Sequence, residues 1–311
     1  IDISNICGGQ NVTLTGSPSG GTWTEQIGNP PGVILDGLGN GVANAHFGTT
    51  AFGTYNFIFE FGSCTDTLIV SVNAKPNAGL DQTICAIIPG GVATLNSTGV
   101  GSWSAQIGNP GTANIVSPLS SMTQVNNFSS LGVYHFIYTT INNCSDTVSI
   151  TVNQQTIGSA NSQTICSGQN TNVVLNATIP STSFSWTAMQ LFGATINGYS
   201  NCGGACSNSI VQALTNTSNS SLGVVRYTVI PTAPNGCVGI SFIVDVTVNP
   251  IPIVSISNTA SCIGLNNGTA HAEAILGTPA YTYLWSNGLT TADVNGLAPT
   301  SYIVTVSDAN G

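Results

Sequence analysis

Apolar and polar residues alternate with a period of two along most of the chain, the signature of strands with one buried face. In Tyr55-Asn56-Phe57-Ile58-Phe59-Glu60-Phe61 the aromatics fall on one side and Asn56 and Glu60 on the other. Leu68, Val70 and Val72 alternate in the same way, and Tyr134, Phe136 and Tyr138 followed by Val148, Ile150 and Val152 repeat both patterns. The series continues with Phe242, Val244, Val246 and Val248, and with Tyr302, Val304 and Val306. No segment carries a capped amphipathic period of 3.6 residues. Gly- and Asn-rich clusters such as Gly37-Leu38-Gly39-Asn40-Gly41 punctuate the strands as turns. The expected fold class is all-β.

The strands recur in a fixed order with landmark residues. Cys7, Cys85, Cys166 and Cys262 are each followed 16 to 23 residues later by a tryptophan, namely Trp23, Trp103, Trp186 and Trp285. An aromatic strand opened by Tyr55, Tyr134, Tyr227 or Tyr302 comes next. A second cysteine, Cys64, Cys144 or Cys237, stands nine or ten residues after the first three of these tyrosines. The first two copies also share Gln26-Ile27-Gly28-Asn29-Pro30 and Gln106-Ile107-Gly108-Asn109-Pro110. This internal repeat predicts four tandem β-sandwich domains over residues 1–75, 76–154, 155–250 and 251–311. Pro76, Pro250 and Pro252 stiffen the connectors. Units roughly 30 Å long, stacked end to end, predict an elongated rod.

Nine cysteines in a Gly-, Thr- and Asn-rich β chain are the usage of an oxidising, extracellular compartment. The expected bridges lie within each repeat, Cys7–Cys64, Cys85–Cys144 and Cys166–Cys237, with a local Cys202–Cys206 link. Cys262 is left over, and the spacing predicts its partner immediately after Gly311. The four tryptophans are expected as core plugs, Trp186 near the Cys166–Cys237 bridge. From Trp186 to Tyr227 the chain runs 41 residues, against 32 and 31 in the first two copies. Phe192 and Tyr199 lie in this insertion, as candidate contacts for a partner or a surface glycan, or as cover for an enlarged hydrophobic edge.

Charge changes the picture next. Of 311 residues only 13 are formally charged, 2 basic and 11 acidic. With Lys75 and Arg226 alone, the chain cannot neutralise phosphates, so nucleic acid and anionic membrane are poor partners. No apolar run is long enough to span a bilayer. No leader precedes Ile1, which is expected to open directly into a strand as mature protein or an internal piece. His46, His135 and His271 fall in three different repeats and the carboxylates are scattered, so no catalytic residue is assigned. Calcium is a candidate cofactor through Asp66, Asp81, Asp146 and Asp308, although Asx capping of turns accounts for the same residues. Thr67 and Thr147, within Asp-Thr-Leu and Asp-Thr-Val, resemble the Asp-Thr-aliphatic O-glycosylation acceptor known in Bacteroidota.

The first three repeats, with a segment such as Asn77-Ala78-Gly79-Leu80-Asp81-Gln82-Thr83-Ile84-Cys85, resemble the PKD-like and immunoglobulin-like repeats of large secreted Bacteroidota proteins. Residues 251–311 resemble the SprB-type repeat of gliding-motility adhesins. The carrying residues are Cys262-x-Gly264-x-Asn266-Asn267-Gly268-Thr269-Ala270, Gly277-Thr278-Pro279 and Tyr281-x-Tyr283-x-Trp285-Ser286-Asn287-Gly288, then Gly296-Leu297 and Tyr302-x-Val304-x-Val306-x-Asp308-Ala309-Asn310-Gly311. Ala280 stands where a second proline is usual. The resemblance implies export by the type IX route and display at the cell surface. The function expected is a non-catalytic structural or adhesive region of a surface fibre, whose partners are neighbouring repeats and further copies of itself. The alternative is a set of accessory carbohydrate-binding or spacer modules of a secreted hydrolase.

Overall fold

The computed structural model describes residues 2–310 and, within them, every side chain but that of Ala205. Ile1, expected to open a strand, and Gly311, the end of the last motif, lie outside the described residues. Every regular element among those described is a strand. The chain forms two compact units, residues 1–154 and 155–311.

In the first unit, fourteen strands fall into two similar sets. The first set is β1 (Ile3–Cys7), β2 (Asn11–Thr15), β3 (Thr22–Glu25), β4 (Val33–Gly39), β5 (Val42–Phe47), β6 (Gly53–Phe61) and β7 (Cys64–Asn73). The second is β8 (Gln82–Ala86), β9 (Gly90–Asn96), β10 (Gly101–Ala105), β11 (Asn114–Ile115), β12 (Met122–Phe128), β13 (Gly132–Thr140) and β14 (Ser145–Gln154). The sheets run β1-β7-β6-β3 over β2-β5-β4, and β8-β14-β13-β10 over β9-β12-β11. No sheet mixes strands from the two sides of residue 75. The inward residues of the alternating runs meet between the layers: Leu14, Ala45, Tyr55, Phe57 and Val70 in one core, Leu95, Val125, Tyr134, Phe136 and Ile150 in the other.

The pairing at one sheet edge is the feature that positions the cysteines. β1 runs parallel to β7 with Cys7 beside Asn73, and β8 runs parallel to β14 with Cys85 beside Asn153. The first strand of each set therefore ends where the last strand ends. The Gly37–Gly41 cluster is tighter than the sequence suggests, since β4 continues to Gly39 and only Asn40 and Gly41 turn, with φ of 52° and 77°. Two positive φ values in succession give the hairpin turn whose twist matches its strands, and Asn-Gly is the pair that adopts it most readily.

The second unit holds two further sets of sheets. In residues 155–250 the main sheet has the same order, Gln163–Cys166 parallel to Phe242–Asn249, then Gly223–Thr232 and Ser183–Gly193, with Cys202–Cys206 added as a fifth strand. In residues 251–311 a three-stranded sheet of Ile253–Thr259, Gly268–Ile275 and Asp293–Leu297 accompanies a two-stranded one of Thr282–Trp285 and Val304–Ser307. The last strand begins at Val304, so Tyr302 precedes it instead of opening it. The cores are separate, one built on Trp186, Tyr227 and Val246, the other on Ala272, Trp285 and Val294.

Candidate functional site

The sequence placed both cysteines of a repeat in one bridge, and the parallel edge strand forbids it. Cys64 opens β7 and Cys7 sits beside Asn73 at the other end of that strand. Nine residues of extended chain separate the two ends, roughly 30 Å, whereas a disulfide needs Cα atoms about 4.4–6.8 Å apart. Cys7 instead bridges Cys144 of the following set, with a Cα–Cα distance of 5.6 Å. This corrects both Cys7–Cys64 and Cys85–Cys144. Cys85 and Cys237 are disulfide-bonded. Cys64 and Cys262 are exposed thiols. The Cys166 Sγ donates to the Asn310 carbonyl oxygen at 3.8 Å, and burial first, then Asp308, pushes its thiol up.

A polar clasp surrounds the Cys7–Cys144 bond. The Gly8 N–H donates to the Asn73 carbonyl at 3.0 Å, and Asn142 Nδ2 donates to Asn73 Oδ1 at 3.0 Å. Asp146 accepts from the Ala78 N–H at 2.9 Å and pairs with Lys75 Nζ at 3.1 Å. Burial alone would raise the Asp146 carboxyl, but the Ala78 N–H and the Lys75 ammonium outweigh it and hold the carboxyl below its ordinary value. One of the two basic residues in the chain is thus spent on the connector. Cys144 is fully buried.

The other candidate aspartates also serve backbone amides. Asp66 accepts from Thr67 N, Asp81 from Ser149 N, and Asp308 from both Thr278 N and Asn310 N. Among the described residues no group of three or more His, Cys, Asp and Glu side chains converges. The histidines are cross-strand partners: His46 of Asp36, His135 of Ser149 and His271 of Asp293. Thr67 and Thr147 are both exposed.

All four tryptophans donate Nε1–H to a backbone carbonyl: Trp23 to Gly41, Trp103 to Ser121, Trp186 to Ser200 and Trp285 to Thr291. Trp103, Trp186 and Trp285 are buried and Trp23 is half-buried. Trp23 and Trp103 pack on Phe59 and Tyr138 of the neighbouring strand, with ring centroids 5.1 and 4.9 Å apart. Trp186 stands opposite Cys202 in the sheet. The Cys202–Cys206 bridge pins an edge strand of the main sheet instead of a loop. Tyr199 packs against the core, while Phe192 is 56% exposed. In the last set an open groove of about 730 Å³ runs past Ile256, Trp285, Leu297 and Tyr302.

Sequence reasoning noticed the repeated Gln-Ile-Gly-Asn-Pro turn without its role. Asn29 donates to the Asn56 carbonyl and accepts from the Asn56 N–H, and Asn109 does the same with His135. Each amide mimics a strand and closes one backbone site of the sheet. The recurrence of asparagine before proline in both copies was the available signal.

No curated protein matches the chain. Among solved structures it is similar to the N-terminal eight Ig domains of Down Syndrome Cell Adhesion Molecule isoform 1.30.30, at 12% identity and TM-score 0.35, covering 91% of this chain and 40% of that one. It is similar to Sidekick-1 immunoglobulin domains 1–5 at 12% identity and TM-score 0.30, covering 99% and 76%. The endo-fucoidan hydrolase MfFcnA9 from glycoside hydrolase family 107 aligns over 49% of this chain and 32% of its own, at 10% identity and TM-score 0.21. Residues 163–252 match the PKD-like domain family, so a PKD-like domain stands within this all-β chain.

Proposed function

We propose that the chain is a structural or adhesive repeat region of a long secreted cell-surface protein, of the fibre or gliding-motility adhesin kind, and that it performs no catalysis. The observation that carries this reading is the Cys7–Cys144 bridge, which ties one repeat to the next across a connector. A covalent tie between successive sheets suits a chain that bears tension. The bridge removes 137 residues of sequence from any end-to-end extension. At about 3.6 Å per residue that is on the order of 490 Å of hidden length. The low charge and exposed Thr67 and Thr147 fit an extracellular surface covered by hydroxyls, amides and sugar.

Two measurements test the reading. Antibodies raised against the chain should label intact cells of the source organism, with threads visible by electron microscopy; labelling only after lysis would overturn it. Stretching single molecules should release the hidden length only after reduction. A second reading, an accessory module of a secreted hydrolase, draws on Phe192, exposed near the end of the strand Ser183–Gly193 and opposite Val224. Binding to a polysaccharide array that disappears in Phe192→Ala would favour it.

A further inference from the structure

The three-stranded sheet of residues 251–311 has Ile253–Thr259 at one edge, a seven-residue strand whose single neighbour is Gly268–Ile275. Among the described residues no hydrogen bond reaches its backbone from the other side. All seven of its residues are exposed, Ile256 at 50%. It carries Ile253, Val254 and Ile256, and neither charge nor proline. The two other edge strands of this length are guarded. β4 holds Asp36, paired with His46 at 3.1 Å, and the Thr94 carbonyl of β9 receives Gln82 Nε2 at 2.7 Å. The Cys202–Cys206 edge is closed by its own disulfide. An unpaired, uncharged edge rich in β-branched residues is a template for another strand.

The strand is also complementary to itself. Its pairing sets Val254, Ile256 and Asn258 on the face of Ala274, Ala272 and Ala270. Ser255 and Ser257 lie beside Glu273 and His271 on the opposite face, and His271 Nδ1 is bound to Asp293 at 2.7 Å. Two copies running antiparallel about Ile256 pair the whole strand. Ile256 meets Ile256, Val254 meets Asn258 and Ser255 meets Ser257, each on its own face. Every serine pair is then flanked by His271 of one copy and Glu273 of the other, roughly 14 Å apart across three strand spacings. A slip of two residues sets Glu273 against Glu273, or His271 against His271, and strips the strand ends of partners.

We propose that this edge is the interface between two copies of the chain, Ile253–Thr259 of one pairing antiparallel with the same strand of the other to make one continuous sheet. The contact is isologous, so it closes as a two-fold dimer. It concerns how copies join and does not rest on the adhesive role.

The test uses the full chain in sedimentation equilibrium, where a monomer–dimer equilibrium is expected. Ile256→Lys, which guards the edge, should leave only monomers, and Ile34→Lys on β4 should leave the dimer intact. Cysteine pairs report the register without asking the lysine variant to fold. With Cys64→Ser and Cys262→Ser as background, Ile256→Cys should oxidise to a covalent dimer, since facing Cα atoms of an antiparallel pair lie within disulfide reach. Val254→Cys should cross-link only when mixed with Asn258→Cys. A chain that stays monomeric at every attainable concentration would overturn the proposal, whether or not it captures an unrelated extended peptide. So would a dimer that survives Ile256→Lys, or Val254→Cys that links to itself.

Discussion

At the scale of single residues, the chain stabilises each sheet with side chains that serve backbone groups. Asn109 satisfies both the N–H and the carbonyl of His135. Replacement by Ala leaves the His135 N–H to water or to nothing, while its carbonyl keeps the Gln106 N–H, and should cost about 1–3 kcal/mol in thermal or urea unfolding. Trp186 fills the core beside Tyr227 and Val229. Trp186→Ala should cost about 3–5 kcal/mol, and a melting point within a degree or two of wild type would place the indole outside the core. The Tyr134 hydroxyl donates to the Ser130 carbonyl, four residues upstream. It is the kind of corner that immunoglobulin sandwiches use to pin the entry to this strand. The Tyr227 hydroxyl donates instead to the side-chain oxygen of Gln212, and its burial raises the phenol well above the ordinary range.

At the scale of elements, the junction around Cys144 decides how one set of strands follows another. The Asp146 carboxyl is held below its ordinary value, so its contribution is fully present above the unfolded value of about 3.9. It is lost as pH falls through the lower folded value. Residues 1–154 should therefore weaken in acid below about pH 4, and Asp146→Asn should flatten that limb of the pH profile. The Arg226–Asp245 pair, two hydrogen bonds of 2.8 and 2.7 Å between facing strands, gives the same sign in the second unit. Reduction of Cys7–Cys144 releases a loop of 137 residues, for which chain entropy gives about 5 kcal/mol. The strands themselves were legible from alternation. The parallel pairing of β1 with β7 was not, because alternation names the buried face of a strand and leaves its neighbour and direction open.

At the scale of the whole molecule, 13 charged residues in 311 leave a surface of hydroxyls and amides. Trypsin has two cognate residues, and Lys75 is followed by Pro76. Arg226 lies inside the strand Gly223–Thr232, paired with Asp245. The native chain should resist trypsin, and the reduced, denatured chain should give one cut after Arg226. Cleavage of the native form at that bond would mean that the strand opens readily. With so few ions to screen, association of the copies should also change little as salt is raised, which light scattering across a salt series checks.

Composition and periodicity by themselves determined that this chain is all-β and that it repeats. Those properties are local, because a side-chain period of two and a recurring Cys, Trp, Tyr and Cys are written in consecutive residues. Which cysteine meets which is not local. One parallel edge strand sends the first cysteine to the exit end of the sheet, and the hairpin before the last strand leaves the second at the entry end. A spacing of about sixty residues therefore spans the length of a sheet, while a separation of 137 brings two sulfurs together. Only the tertiary structure could decide that, since a disulfide depends on the distance between two Cα atoms and not on the number of residues between them.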